Sequence, residues 1–378
     1  MMKDSSRKLR NGFTTGTCAA AAAEAAAYRL LTGTGMTEVP IETPDGTHLK
    51  LGTEDLWCHD GRAGCGVRKD AGDDIDATDG LLICAEVERS SRPGIHIDGG
   101  SGVGRVTKKG LDQPVGNAAI NSVPRRMITE AVRHAAEDAG FDGGLNVLIT
   151  VPGGEEVALK TFNGRLGIEG GISILGTSGI VHPMSRRALL ESMYAEMRMH
   201  RASSGPWLCL SPGNYGERFA FDELGVDPEK EMLCSNFIGE TVDKAVDLGF
   251  CGILFSAHIG KFIKVSGGIM NTHSKEADCR MELMAAAALK AGCDADTARK
   301  ILSCNTTDDA IDLLRSGPAP EGLFQKTMDA VISGIAHYLA LRCGGKLETG
   351  AVIFSDRYGK LAETDNAGAL LAHLRRSR

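Results

Sequence analysis

The sequence predicts an α/β protein of two domains: an α+β layer domain over residues 1–169, then a domain of alternating strands and helices with a mostly parallel sheet over 170–378. Three observations carry this. Up to about residue 169, short strand-like runs outnumber two main helical patterns. Past Gly170, strand and helix patterns alternate, the rhythm of a parallel sheet whose ligands sit at strand C-termini. The 48 glycines, against 2 Trp, 5 Tyr and 11 Phe, describe many tight turns and Gly-lined surfaces.

Composition narrows the function classes. Hydrophobic content of 42% and charged content of 24% fit a soluble globular chain with a sizeable core. A net charge of −7 argues against a general nucleic-acid binder, though an acidic surface can still hold a local basic pocket. The 11 cysteines are scattered without a CxxC pair, which reads as reduced thiols in a cytoplasmic protein. Cys58, His59 and Cys65 lack a second close pair, so no protein-bound metal is expected. Thr17 to Ala27 is Ala-rich, but Glu24 interrupts it, the span is too short and too weakly apolar for a membrane helix, and it lacks the leucine-rich run of a signal peptide. It reads as a soluble helix whose small side chains permit close packing.

In chain order, residues 1–12 are polar and expected to fray, and Thr14, Thr15 or Thr17 caps the Ala-rich helix. That helix N-terminus is also a candidate ligand-facing site. Glu38 to Leu56 reads as a hairpin turning at Pro44-Asp45-Gly46. The loop Lys69 to Gly80 carries five aspartates, and crowding Asp73, Asp74 and Asp76 raises at least one pKa unless a cation or donor is near. Strands follow at Leu81–Val87 and Gly94–Ile97, then a Gly-rich loop from Gly99 to Asn117, too long to be an economical connector. Arg105, Lys108 and Lys109 lie in it, and Arg125 and Arg126 follow Pro124 at a helix start, where cations oppose the macrodipole unless an anion neutralises them. A helix over 126–139 and a strand over 145–151 complete the first part.

The stretch Gly170 to Ser185 reads as a short buried strand (Ile172 to Leu175), a hydroxyl loop Gly176-Thr177-Ser178-Gly179, and a helix start near Pro183. Helices over 184–203, 215–224 and 239–248 alternate with strands at 206–210, near Met232 and at 250–256. The loops 176–179, 211–216 (with Gly213 and Asn214) and 256–258 would then share one sheet edge. Helices near 275–291, 294–302, 307–315 and 320–342 follow, with a loop at Ser316-Gly317-Pro318-Ala319-Pro320 before the last. A strand at 351–355 and a helix over 366–376 close the chain.

No GxSxG, HExxH or P-loop occurs, so hydrolase, zincin and NTPase readings lack support. Polar Gly loops, clustered cations and an acidic loop suit an enzyme that aligns two bound molecules. The segments Leu9 to Ala21, Gly102 to Thr107 through Asn117 to Asn121, Gly170 to Ser185, and His258-Ile259-Gly260-Lys261 through Asn271 to Ser274 together resemble the CbiD family, in order and over almost the whole chain. Gly72-Asp73-Asp74-Ile75-Asp76 also resembles the family pattern, with Ile75 where Pro is expected.

The resemblance implies a cobalt-precorrin-5B C1-methyltransferase of anaerobic cobalamin biosynthesis, with S-adenosylmethionine as donor and cobalt arriving only inside a tetrapyrrole substrate. It also implies an α+β N-terminal domain and a Rossmann-like C-terminal one. Under it, Thr14, Thr15, Arg105, Lys108, Asn117, Asn121, Arg125 and Arg126 are candidates for the carboxylate-rich acceptor. Gly176, Thr177, Ser178, Gly179, Gly213 and Asn214 are candidates for the donor. His258, Lys261 and Asp74 are candidates for handling a proton or polarising the macrocycle. The acceptor and donor surfaces are expected to face each other across a shared cleft. No membrane or nucleic-acid partner is expected, and oligomeric state stays open. The alternatives are a non-catalytic tetrapyrrole carrier or scaffold, and a phosphate-sugar enzyme with a Gly-loop seat.

Overall fold

The computed structural model describes residues 9–161, 163–164, 166–183, 185–316 and 322–375. The chain divides into two compact units, Met1–Ala188 and Leu189–Arg378. Among the described residues no helix is long and apolar enough to cross a membrane.

The first unit begins with β1 (Gly12–Phe13) and α1 (Thr15–Thr32), followed by β2 (Glu38–Glu42), β3 (His48–Gly52), β4 (Glu54–His59), β5 (Arg62–Arg68), β6 (Leu82–Ser90) and β7 (Ile95–Gly99). After these come β8 (Gly102–Val103), β9 (Arg105–Val106), α2 (Ser122–Asp138), β10 (Gly144–Thr150), α3 (Gly154–Ala158), β11 (Ile168–Glu169), β12 (Gly171–Ile172) and β13 (Ile180–Val181). Its main sheet has the order β4-β5-β6-β10-β7, antiparallel except for the parallel β10–β7 pair. Period-2 alternation sorts its two faces. Cys65, Val67, Ile83, Ala85, Val87, Leu145, Val147 and Ile149 point into the core with α1 and α2. The other face carries polar pairs such as Arg62 with Glu86 and Glu88, and Asn146 with Glu88.

Helix α1 packs against both the sheet and α2. A helix enclosed on both sides must be apolar all round, and alanine lets its neighbours approach closely. Cys18 to Ala27 are accordingly at 0% exposure, Glu24 excepted. The expected hairpin forms between β2 and β3, Val39 opposite Leu51. Helix α2 starts at Ser122, earlier than expected, because the Asp112 carboxylate accepts from the Ser122 amide (2.5 Å) and hydroxyl (2.8 Å) and so caps it from the loop. Arg10 to Gly12, expected to fray, is pinned by the acidic loop: the Arg10 amide donates to Asp73 (2.7 Å) and the Asp73 amide to the Arg10 carbonyl (2.9 Å).

Gly170 to Ser185, expected to open the second domain, closes the first. Its short strands pair inside that unit: β12 runs parallel to β8 and β13 antiparallel to β1. The division at 188/189 falls inside the first turn of α4 (Arg186–Ser203).

The second unit continues with β14 (Trp207–Ser211), α5 (Asn214–Asp222), β15 (Glu231–Leu233), α6 (Ile238–Asp247), β16 (Gly252–His258), α7 (Ile259–Phe262), α8 (Arg280–Lys290), α9 (Ala295–Leu302) and α10 (Thr307–Ser316). It ends with α11 (Leu323–Cys343), β17 (Glu348–Ser355), β18 (Gly359–Glu363) and α12 (Ala367–Leu374). The sheet order is β15-β14-β16-β17-β18, parallel throughout except for the β18 edge. Both faces are covered. Leu208, Leu210, Ile253, Phe255, Ala351 and Ile353 pack on one side with residues of α4, α6, α8 and α11, while Cys209, Leu254 and Val352 pack on the other with α5 and α12. Burial on both faces explains why these strands read as continuous apolar runs.

Most helices fall where periodicity puts them. The exception is 275–291, of which only Arg280–Lys290 is helical. Residues before it form a turn fastened elsewhere: the Thr272 amide donates to the Asn236 carbonyl (3.0 Å), and Lys264 Nζ to the Thr272 carbonyl (3.1 Å). Strand β18 has no sequence expectation. The Gly317-Pro318-Ala319-Pro320 part of the expected loop lies outside the described residues.

Candidate functional site

In the first unit, the N-terminus of α1 and the loop 173–179 satisfy each other. The Thr14 amide donates to the Gly179 carbonyl (3.0 Å) and the Gly16 amide to the Leu175 carbonyl (2.8 Å). The buried Thr15 hydroxyl accepts from the Leu175 amide (2.8 Å), and the Thr17 hydroxyl donates to the Gly179 carbonyl (2.8 Å). Thr14 Oγ1 caps the Thr17 amide (3.3 Å). These bonds consume the Thr14, Gly16 and Thr17 amides that a free helix end would offer an anion. The glycines belong to the same joint. Gly179 has φ +82°, and a Cβ there would come 2.6 Å from Thr43 Cβ; a Cβ on Gly176 would collide with the Thr14 hydroxyl. Thr177 is exposed, and the Ser178 hydroxyl turns back to the Ile180 carbonyl (3.0 Å). Gly176 to Gly179 thus lie in the first unit and not on the edge of the second unit's sheet.

The acidic loop is cross-braced. Arg10 forks onto both Asp70 oxygens (2.5 and 2.7 Å), the Ala71 amide donates to Asp79 (2.8 Å), and Lys69, with 2% of its side chain exposed, donates to Asp76 (2.6 Å). The exception foreseen for a nearby cation or donor applies to Asp76, which Lys69 and Thr78 both reach. The Arg10 hydrogen bond holds the Asp70 carboxyl below its usual range. Burial alone would raise the Asp76 carboxyl, but the Lys69 charge and hydrogen bonds from Lys69 and Thr78 outweigh it and keep it low. Asp74 is half-buried in this loop, beside Ile75 at 97% exposure.

The expected acceptor anchors separate into committed and available groups. Arg125 turns inward, donating to the carbonyls of Ile97 and Ile120 (2.9 Å each) and Ala118 (3.4 Å); burial draws its guanidinium below the ordinary value, against the pull of Asp98 and Asp112. Arg105 forks onto Asp98 (2.7 and 3.0 Å) and reaches the Gly99 carbonyl (2.7 Å). Burial would raise the Asp98 carboxyl, yet the bonds from Arg105 and the Gly99 amide keep it low. Arg126, one residue on and therefore on another side of α2, is 60% exposed and among the described residues meets only Glu130, at 4.0 Å. Lys108 and Asn117 are exposed. Asn121 is the residue before α2, and its side chain makes no cap bond.

In the second unit the chain leaves β14 for β15 on one side and later returns for β16 on the other, so the sheet order switches between β14 and β16. In open parallel sheets such a fork is where loops part and leave a crevice beyond the strand ends. The loops there are Ser211 to Tyr215 and His258 to Lys261, and Lys261 Nζ joins them by donating to the Pro212 carbonyl (3.0 Å). Gly213 precedes α5 without a side-chain cap, its carbonyl accepting from the Gly216 and Glu217 amides (2.9 and 3.3 Å). Among the described residues the amides of Asn214 and Tyr215 have no hydrogen-bond partner.

Beneath the first turn of α5, the Ser256 hydroxyl donates to the Gly216 carbonyl (2.9 Å), whereas the fully buried Ser211 hydroxyl has no partner among the described residues. His258 Nδ1 accepts from the Gly260 amide (3.0 Å). Asn271-Thr272 sits by the end of β15, tied to Asn236 and Phe237. Lys264, which holds it, is buried; burial pulls its ammonium pKa down against the nearby Asp278.

Of the expected donor and proton-handling residues, the structure therefore gathers Gly213, Asn214, His258 and Lys261. Asp74 and Gly176 to Gly179 belong to the first unit. Ser211 is expected only as the first residue of the loop 211–216, and Asn236 and the Ser355–Asp308 hydrogen bond (2.7 Å) have no sequence expectation. The available signal was a polar residue ending an apolar strand run, as in Trp207-Leu208-Cys209-Leu210-Ser211.

Residues 2–183 match the CbiD family, and residues 271–365 match the CbiD C-terminal domain. The cobalt-precorrin-5B C(1)-methyltransferase of Ruminiclostridium cellulolyticum is 45% identical over 350 residues, covering 93% of this chain and 90% of that protein. The protein of the same name from Thermoanaerobacter sp. is 48% identical over 308 residues, 82% of this chain and 83% of that one. The crystal structure of cobalamin biosynthesis protein CbiD from Archaeoglobus fulgidus is similar at 29% identity, with a TM-score of 0.39, over 72% of this chain and 84% of its own. With relatives this similar over nearly their whole length, the chain belongs to the CbiD family.

Proposed function

We propose that this chain transfers a methyl group from S-adenosylmethionine to C1 of cobalt-precorrin-5B, giving cobalt-precorrin-6A in anaerobic cobalamin biosynthesis. The observation that carries this reading is the 45% identity over 350 residues to a cobalt-precorrin-5B C(1)-methyltransferase. The parallel sheet, wound on both faces and switching order between β14 and β16, supports a Rossmann-like reading of the second unit.

The donor seat is assigned to that fork. Two amides at the start of α5 and the exposed Lys261 ammonium suit a ligand that carries a carboxylate. The bound donor supplies an electrophilic methyl on a sulfonium; the C–S bond breaks as the C–C bond forms, and the sulfur keeps the electron pair. The protein's share is orientation and exclusion of water, which can supply a large part of the barrier reduction. In the first unit, Lys108 and Arg126 have the exposure to meet acetate and propionate groups of the acceptor. Arg105 already shares its guanidinium with Asp98, so a ligand carboxylate would compete there.

The test is transfer of label from methyl-labelled S-adenosylmethionine to cobalt-precorrin-5B. Folded protein that binds both molecules without transferring label refutes the reading. Donor binding is checked first by thermal shift, since ligand at 100 times its Kd stabilises by about 2.7 kcal/mol.

A further inference from the structure

We propose that His258 serves the ligand at the β14–β16 fork as a hydrogen-bond donor through Nε2–H, and is not the reaction's proton acceptor. A backbone amide can only donate, and the Gly260 amide lies 3.0 Å from His258 Nδ1. Nδ1 therefore presents its lone pair. A neutral imidazole carries one proton, which then resides on Nε2. The basic lone pair is spent on holding the turn into α7, and the ring nitrogen left over is a donor.

The ring cannot exchange these roles by turning over. A flip would set a carbon against the Gly260 amide and forfeit the bond that makes His258 the N-cap of α7. The ring also meets Phe354 edge-on, at 90° and 5.5 Å between centroids, and Phe354 is stacked on Phe219 of α5 at 4.2 Å. His258 ends β16 directly opposite Phe354, with the same alternation as Leu254 and Ser256, which puts its side chain on the face covered by α5. Among the described residues Nε2 has no protein partner, and the residue is only partly buried, so the donor is available. An acceptor oxygen of the ligand, a carboxylate above all, completes it. No proton changes hands in this role.

The ligand role rests on the seat proposed above; the tautomer does not, and it has its own measurement. In 15N-histidine-labelled protein, with the His258 signals assigned by their loss in His258→Gln, two-bond 15N–1H correlations at neutral pH should report Nδ1 unprotonated and Nε2 protonated. The reverse pattern overturns the proposal. The second measurement compares His258→Gln, which keeps an N–H near the Nε2 position, with His258→Asn, which keeps an acceptor near the Nδ1 position. Methyl-transfer kcat/KM should fall about tenfold further in the Asn variant, the loss of one hydrogen bond, while its Tm falls less than that of the Gln variant. A selective rise in donor Kd would identify the donor's carboxylate as the partner, and a selective rise in acceptor KM the tetrapyrrole's. Equal losses with the acidic limb of the pH profile abolished in both variants would mark His258 as a base; unchanged kcat/KM in both would remove it from the site. If the wild-type chain transfers no methyl, the functional reading fails while the spectrum still decides the tautomer.

Discussion

Glu24 interrupts ten residues of α1 that are otherwise fully buried, and its carboxyl is pushed up to about 7, first by burial and then by the Asp138 charge. The sign follows from proton linkage. Between the ordinary carboxylate range and neutrality the unfolded chain releases this proton while the folded chain keeps it, so stability falls as pH rises and levels off above pH 7. A rise from 4.5 to about 7 corresponds to roughly 3 kcal/mol at 1.36 kcal/mol per unit. Glu24 retains partial exposure, so solvent screening reduces this to about 1–2 kcal/mol. Replacing it with Gln should therefore stabilise the first unit at pH 8 by about 1–2 kcal/mol more than at pH 4. Urea denaturation at several pH values measures this, with Trp57 fluorescence reporting the first unit in a Trp207→Phe background. Only the difference between the pH profiles matters, so any constant cost of the amide cancels. Asp138→Asn should recover a smaller share. Parallel profiles for wild type and Glu24→Gln would refute the reasoning.

Lys69→Met leaves the half-buried Asp76 carboxylate without its cation and should cost about 2–3 kcal/mol in urea denaturation, far less when combined with Asp76→Asn. Because Asp76 is held low, its contribution is present above the ordinary carboxylate range and lost on acidification; Lys69→Met should flatten that acid limb. Gly179→Val, at φ +82° against Thr43, should cost about 3 kcal/mol or more, whereas Gly33→Ala, at φ +75° in open space, should cost about 1–2 kcal/mol; equal costs would show that crowding at the joint is unimportant. Arg125→Met should lower stability by about 1–3 kcal/mol, since three carbonyls each lose a hydrogen bond from its guanidinium. The neighbouring Arg126→Glu should leave stability within about 0.5 kcal/mol and raise acceptor KM more than donor KM; equal rises would remove Arg126 from the acceptor surface.

Local pattern carried much of this molecule. The β2–β3 hairpin, the buried strands of the second unit and most helices are legible because burial on one or two faces writes a period into the residues themselves. So is the Ala-rich character of α1, which only makes sense for a helix enclosed on both sides. Membership in the CbiD family is likewise legible in the ordered motifs.

Partnership was not legible, because a sequence shows which groups need a partner and not which partner they find. Gly176 to Gly179 read as a ligand loop, yet the Gly179 carbonyl meets Thr14 and Thr17 at the head of α1, more than 150 residues earlier. Arg125 and Arg126 read as a pair, but 100° of helical rotation sends one to backbone carbonyls and the other to solvent. The fork between β14 and β16 exists only in the order of the strands, and His258 becomes a donor only because the chain turns Gly260's amide onto its other nitrogen. Apolar periodicity is a property of a segment, whereas a hydrogen bond between distant segments is a property of the folded chain alone.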